Sequence, residues 1–396
     1  MSVKILFTEC LGHFLTAVSE NNVIRELRYT PLHGNDQCQV GDIYVGKIKK
    51  ILPKIHAAFI EIANHTECYY SLEEKETPVF TKKLSRKPFV VGEELLVQVK
   101  KEASKNKQPT VTGNLNFSGK YVVLTTGNKK AGVSSKIDHS RREELLSLAS
   151  ELNLDDYGIV FRTNAADASR EVIIKEIEQL SHVLGDLLKY APSRTCFSRL
   201  YSAPDPSLLV LRDTCHDDLE EIIVDTSIDN GIIYDHIKDY LQSHQPEDLG
   251  LLRKYEDESY PLSKCYSIEH ITEEALKEKV WMKSGGFLVI QPTEALTVID
   301  VNSGKCLMKN SNTLAINKEA AAVIAHQIRL RNLTGIIIVD FINMTDKEQC
   351  SELLHFLQYE LSRDPNPGKI VDMTKLQLVE ITRRKIRKTL AESLRD

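Results

Sequence analysis

Two short apolar runs, each closed by an aspartate, constrain this chain more than any other feature. Ala295-Leu296-Thr297-Val298-Ile299-Asp300 and Gly335-Ile336-Ile337-Ile338-Val339-Asp340 read as strands, and the stretch from about Lys318 to Arg331 between them reads as a helix. Asn317 is placed to cap that helix, and Arg329 and Arg331 suit its C-terminal turn. The second run is continuously apolar, the pattern of a strand buried on both faces. A further helix is expected over Lys347 to Arg363, and Phe287-Leu288-Val289-Ile290 reads as a strand after a turn at Ser284-Gly285-Gly286. Together these make a βαβ-like unit.

Such a unit puts Asp300 and Asp340 at the mouths of buried strands. If the strands are neighbours, the crevice outside their carboxyl ends is where ligands bind in open α/β sheets. Asn302, two residues past Asp300, projects to the same side. Two carboxylates and an amide oxygen, with positions left for water and phosphate, suit Mg²⁺, with Mn²⁺ as its alternative. The same pattern is also met where each aspartate merely caps a following loop or helix.

Upstream, Val3 to Phe7, Phe14 to Val18 and Val23 to Tyr29 suggest an antiparallel meander, with Val23, Leu27 and Tyr29 on one face. From Gly41 to about Val111, several short strands with glycine-bearing turns suggest a small closed barrel of oligonucleotide-binding type, with residues 73–92 as a solvated loop within it. Lys47, Lys49, Lys50 and Lys54 lie there with Tyr44, Phe59, Tyr69 and Tyr70 interleaved. Cations that track a phosphate backbone and aromatic platforms for unstacked bases are what single-strand binding needs. The bland alternative makes Phe59 and one tyrosine barrel core and the lysines a solvated face.

A third region, about 113–204, mixes strands with amphipathic helices such as Ser169 to Leu188. In it, Phe161-Arg162-Thr163 ends an apolar strand with a guanidinium beside a hydroxyl, a receptor for a terminal phosphate and equally a common exposed pair. Near the C-terminus, Thr382-Arg383-Arg384-Lys385-Ile386-Arg387-Lys388 reads either as a phosphate contact or as a helix end facing solvent.

Composition is needed only to bound these readings. With 42% hydrophobic positions the chain is not intrinsically disordered as a whole. Its 51 Lys+Arg against 56 Asp+Glu give a net charge of −5, which on average speaks against nucleic acid. The average conceals a distribution, because acidic residues gather between Asp213 and Asp225 while cations concentrate in the barrel and the C-terminal segment. Eight scattered cysteines without a CxxC point to reduced thiols in a cytoplasmic protein, with neither a disulfide nor a zinc site expected. No signal peptide or membrane segment is expected.

In order along the chain, these stretches resemble the catalytic portion of the ribonuclease E/G family. The most specific matches are Thr293-Glu294-Ala295-Leu296-Thr297-Val298-Ile299-Asp300-Val301-Asn302-Ser303-Gly304 and the run from Ala325-His326-Gln327-Ile328-Arg329 through Asp340-Phe341-Ile342. Asp42-Ile43-Tyr44-Val45-Gly46-Lys47, Ala57-Ala58-Phe59 and Val379-Glu380-Ile381-Thr382-Arg383-Arg384 add to them. The resemblance implies an α+β multidomain fold. An RNase H-like subdomain (residues 1–38 and 205–278) would hold an inserted S1 (OB-fold) barrel (39–112) and a 5′-sensor (113–204), followed by a DNase I-like α/β catalytic subdomain (279–396).

The implied activity is Mg²⁺-dependent endoribonucleolytic cleavage of single-stranded, A/U-rich RNA to 5′-phosphate and 3′-hydroxyl ends, favoured by a 5′-monophosphate. The implied partners are rRNA precursors and mRNA. Asp300, Asn302 and Asp340 would be catalytic, with Asp300 and Asp340 as metal ligands. Gly119, Val123, Arg162 and Thr163 would grip the 5′-phosphate, and Lys47, Phe59, Tyr69, Lys107 and Arg383 would bind RNA. The chain stops at Asp396 without the family's zinc-binding CxxC, so a homodimer, if formed, is expected to lack that link. Asn343 stands where an Asp is frequent, and no loss of metal is expected from it. Ile62 replaces a frequent aromatic and Ser135 a frequent Arg, so weaker RNA grip and weaker 5′ discrimination are expected. Two alternatives stay open: an S1-type RNA-binding protein with little or no cleavage, and a metal-dependent phosphodiesterase that also takes DNA.

Overall fold

Side-chain alternation in the two aspartate-ended strands decides which way their sheet faces. The computed structural model describes residues 2–32, 38–74, 78–86, 89–103, 108–152, 157–214, 218–227, 231–257, 259–304 and 313–395. The chain divides into two compact units, one from residues 1–34, 216–242 and 246–396 and the other from residues 35–215 and 243–245.

The first unit contains two sheets. One has the strand order Leu252–Tyr255, Leu219–Asp225, Val3–Cys10, His13–Glu20, Val23–Pro31, its first three strands parallel and its last three an antiparallel meander. In the meander, Arg25 is an extra residue at a bulge, between the pairs Val18↔Glu26 and Ser19↔Ile24. That residue resets the alternation, so Ile24 joins Leu27 and Tyr29 in the core and Val23, expected on their face, is exposed.

The other sheet has six strands in the order Lys279–Trp281, Phe287–Pro292, Leu296–Asn302, Gly335–Asp340, Leu378–Arg383, Lys369–Met373. Only Leu296–Asn302 and Gly335–Asp340 run parallel. Their crossover is the helix Thr313–Leu330, and Lys347–Ser362 follows as a second helix capped by Asp346. Leu288, Ile290, Ile299, Val301, Ile337 and Val339 pack with Ile324, Ile328, Leu353 and Leu357 in one core. Burial on both faces is not found: Ile336 is 52% exposed and Ile338 only partly covered. Both helices cover the same face, and antiparallel neighbours on either side allow the other face to stay open. Asn317 is no cap either. It lies inside the helix, fully buried, where its amide donates to Ile342 O (2.8 Å) and its carbonyl accepts from Ile342 N (3.2 Å), tying down the chain just past Asp340.

In the second unit, Ile43–Leu52, Ala57–Glu61, Glu67–Ser71, Thr110–Thr112 and Glu94–Lys101 pair in a ring that closes back on Ile43–Leu52. This is a closed five-stranded barrel of the S1/OB kind. The stretch 73–92 is more than a solvated loop. Phe80–Lys82 pairs with Glu94–Lys101, and the Phe80 and Phe89 rings pack on the barrel core, because a few aromatics in a charged segment still gain by burial. The same unit carries a four-stranded sheet, Asn116–Ser118, Val122–Thr125, Gly158–Phe161 and Ala131–Val133, packed against the helices His139–Glu151 and Arg170–Tyr190.

Candidate functional site

Asp300 and Asp340 are direct register partners in the parallel pair Leu296–Asn302 and Gly335–Asp340. Both are exposed on the open face of the sheet, the even positions of each strand pointing away from the helices. Asn302 lies on that face two residues further, and its Nδ2 donates to Asp300 Oδ2 at 2.8 Å. One carboxylate oxygen is thus oriented while the rest of the pair faces water. Among the described residues no three His, Cys, Asp or Glu side chains gather as a metal cluster. Two carboxylates and an amide nonetheless fit a hard divalent cation that keeps most of its water, the habit of Mg²⁺. The strand ends at Asp340, so Asn343 lies in the loop beyond it, exposed and outside any strand alternation.

The phosphate-receptor candidates gather in the second unit. Arg162 follows the strand Gly158–Phe161 directly; its Nη1 donates to Gly119 O at 2.7 Å and its Nη2 to Asp213 Oδ1 at 2.6 Å. Thr163 Oγ1 and Ser134 Oγ are 3.0 Å apart, and Ser135 is exposed beside them. Val123 pairs with Val160, which shares a face with Arg162. Gly119 is held by Glu176, whose buried carboxylate accepts from the backbone N–H of Lys120 (2.6 Å), Tyr121 (2.8 Å) and Val122 (2.8 Å). A Cβ at Gly119 would fall 2.3 Å from the Glu176 carboxyl carbon, so only glycine fits. Burial pushes the Glu176 carboxyl above its usual range even against those three donors.

On the barrel, Phe59 and Tyr69 are register partners with ring centroids 6.4 Å apart in edge-to-face geometry, both half-buried on the outer face. Tyr44 and Tyr70 are the core tyrosines, and Ile62 is buried with them, so no side chain at position 62 could serve as an outer platform. Lys47 pairs with Glu61 across the strands, and Lys49 reaches the same carboxylate at 2.8 Å.

Residues 116–386 match the family described as "Ribonuclease E/G family". The chain belongs to the ribonuclease E/G family. It is 33% identical to a protein named Ribonuclease E from Nostoc sp. over 97% of this chain and 56% of that one. It is 34% identical to a Ribonuclease E from Synechocystis sp., covering 96% of this chain and 56% of the relative. A Ribonuclease G from Haemophilus influenzae is 30% identical over 100% of this chain and 82% of its own length. The chain thus spans little more than half of the two ribonuclease E relatives.

In this ribonuclease E/G family member, one expected RNA contact is corrected. Arg383 is buried, with Nε donating to Asp364 and Asn366 O, Nη1 to Asn332 and Leu333 O, and Nη2 2.9 Å from Asp364. It closes the junction of Leu378–Arg383 with the helix ends and has no donor aimed at solvent. Lys107 lies outside the described residues. Sequence reading missed Asp213 as the partner of Arg162 and Glu176 as the anchor of Gly119. Each partner lies some 50 residues away in the chain, and neither carries a local signal. Cys10, Cys38, Cys68, Cys196, Cys265 and Cys350 are free thiols, and among the described residues no helix is long and apolar enough to cross a membrane.

Proposed function

We propose that this protein is a Mg²⁺-dependent endoribonuclease of RNA processing and decay, acting in the cytoplasm on single-stranded A/U-rich RNA. The observation that carries the reading is the register pairing of Asp300 with Asp340 on an open sheet face, with Asn302 fixing one of the two carboxylates. Asp300 and Asp340 would hold the cation. Bound there, Mg²⁺ would polarise a phosphoryl oxygen and lower the pKa of a coordinated water, giving 5′-phosphate and 3′-hydroxyl products. Asn302 keeps the Asp300 carboxylate in one orientation and leaves its own amide oxygen to accept from a water or sugar hydroxyl. The exposure of both aspartates on the open sheet face leaves room for a nucleic-acid strand to approach them.

Phe59 and Tyr69, with Lys47 on the same outer face, would stack and steer the strand, which would leave sequence preference slight, since every base has a π-face. Arg162 and Thr163, beside Gly119 and Val123, would receive a 5′-monophosphate. A division into RNase H-like, S1, 5′-sensor and DNase I-like parts suits the sheets described above.

The test uses labelled A/U-rich RNA with a 5′-monophosphate or 5′-triphosphate, in Mg²⁺ or EDTA, with the Asp300→Asn and Asp340→Asn variants alongside. Cleavage that persists in EDTA or in both variants overturns the site. Equal rates on the two 5′ ends overturn the sensing reading alone. Tight binding without any cleavage would turn the conclusion to an S1-type RNA-binding protein.

A further inference from the structure

The open face of the six-stranded sheet carries more than the two aspartates. Directly paired residues on neighbouring strands share a face, and two rows can be followed across it. Lys279 pairs with Val289, Val289 with Asp300, and Asp300 with Asp340. One step along, Trp281 pairs with Phe287 and Phe287 with Asn302. An aromatic pair therefore continues the row that begins at Asn302, Phe287 one strand spacing from it and Trp281 two (~10 Å).

The pair is built as a surface feature. Trp281 is the chain's single tryptophan and is 64% exposed, on the edge strand Lys279–Trp281. Its ring centroid lies 5.3 Å from that of Phe287, at 59°. Lys279 Nζ stands 4.2 Å from the Trp281 ring and 3.8 Å from the Phe287 ring. The covered face of the same strands is already filled by Met282, Leu288 and Ile290, so the Trp281 ring adds nothing to that core. A large apolar ring left in water, with a cation over it and a polar row leading to two carboxylates, matches what a single nucleotide presents: a flat base beside a negative phosphate.

Resting on the nuclease reading above, we propose that Trp281 and Phe287 form a stacking platform for one unpaired base of the RNA strand next to the scissile phosphate, with Lys279 facing the adjoining phosphate. The platform sets how the strand enters the site, so Trp281 is a substrate-positioning residue rather than a member of the chemistry.

Trp281 also reports on itself, since its fluorescence is the only tryptophan emission of the chain. The full chain is titrated in EDTA with an end-labelled, A/U-rich single-stranded RNA, reading the anisotropy of the label and the tryptophan emission together. Quenching that tracks the anisotropy, and that is lost when one base near the cleavage point is replaced by an abasic sugar, supports the platform. Steady-state cleavage then separates roles. Trp281→Ala should raise KM by about tenfold or more, the stacking of one base, with a much smaller fall in kcat, and Trp281→Phe should restore most of the loss. Anisotropy without quenching, together with an unchanged KM for Trp281→Ala, overturns the platform and leaves the nuclease reading intact. No anisotropy change at any RNA concentration counts against the nuclease reading itself. Emission that shifts with protein concentration in the absence of RNA, alongside dimers in sedimentation, makes the face a contact between copies and overturns the proposal.

Discussion

Arg162 reaches Asp213 through a 2.6 Å contact from Nη2, so the guanidinium expected to receive a phosphate already holds a carboxylate. Burial disfavours the charged carboxylate, but Arg212 and Arg162 outweigh it and hold the Asp213 carboxyl below its usual range. Asp213 therefore stays ionised at neutral pH and both orients Arg162 and offsets its charge. Asp213→Asn should strengthen the response to a 5′-monophosphate relative to a 5′-hydroxyl by about two- to fivefold, the scale of one partly screened charge. Arg162→Ala should bring that ratio to one. The check is kcat/KM on the two RNAs.

Asn302 donates to Asp300 without carrying charge itself. Groups that orient a metal ligand typically contribute 10- to 100-fold in metal affinity or activity. Asn302→Ala should therefore raise the Mg²⁺ concentration needed for half-maximal cleavage by about that range, and excess Mg²⁺ should recover part of the rate. Asp300→Asn should not be recovered in this way. Rates measured across a Mg²⁺ series distinguish the two.

The barrel aromatics divide into two kinds. Phe59→Ala and Tyr69→Ala remove half-buried outer rings and should weaken single-strand binding by about 1–3 kcal/mol each while leaving the unfolding transition nearly in place. Tyr70→Ala empties a fully buried position and should destabilise the fold by about 3–5 kcal/mol. RNA anisotropy and urea unfolding on the three variants supply the comparison.

Arg383 holds a buried ion pair, and its loss leaves Asp364 without its partner. Arg383→Met should lower stability by about 3–5 kcal/mol. The salt dependence of RNA affinity, which counts phosphate contacts, should not change. Lys47→Ala should do the reverse, reducing the salt slope by about one contact with little effect on unfolding.

His326 carries a pH dependence whose sign can be worked out. Burial, then Arg25 and Arg329, push its pKa down from 6.5 to about 4, and Arg25 Nη1 sits 3.2 Å from its Nδ1. The folded state thus resists protonation while the unfolded chain accepts a proton near 6.5. The stabilising contribution is complete above about pH 6.5, declines as the pH falls, and is gone below about pH 4; its size is on the order of 3 kcal/mol. Between pH 7 and pH 4.5 the protein should lose about 2–3 kcal/mol of unfolding free energy relative to His326→Gln, which has no proton to take up there.

Local pattern determined a good deal of this protein by itself. An apolar run closed by aspartate is a strand with a carboxylate at its mouth because chain direction and alternation follow from the backbone alone, and two such runs around one helix suit the parallel pairing that the structure has. Short strands punctuated by glycine determined the barrel for the same reason. What only the tertiary structure decided were matters of partnership. Both helices fell on one side of the six-stranded sheet, so Gly335–Asp340, apolar up to its aspartate, buried only Ile337 and Val339 and left Ile336 open. Arg383 and Arg162 read alike as surface cations, yet Asp364 and Asn332 draw the first inside, while Asp213 pairs with the second in a part-buried contact. Asn317 has the composition of a cap and acts instead as a clamp on Ile342. In each case the free energy of a polar group depends on who satisfies it after burial, and that partner lies at a distance along the chain over which no periodicity extends.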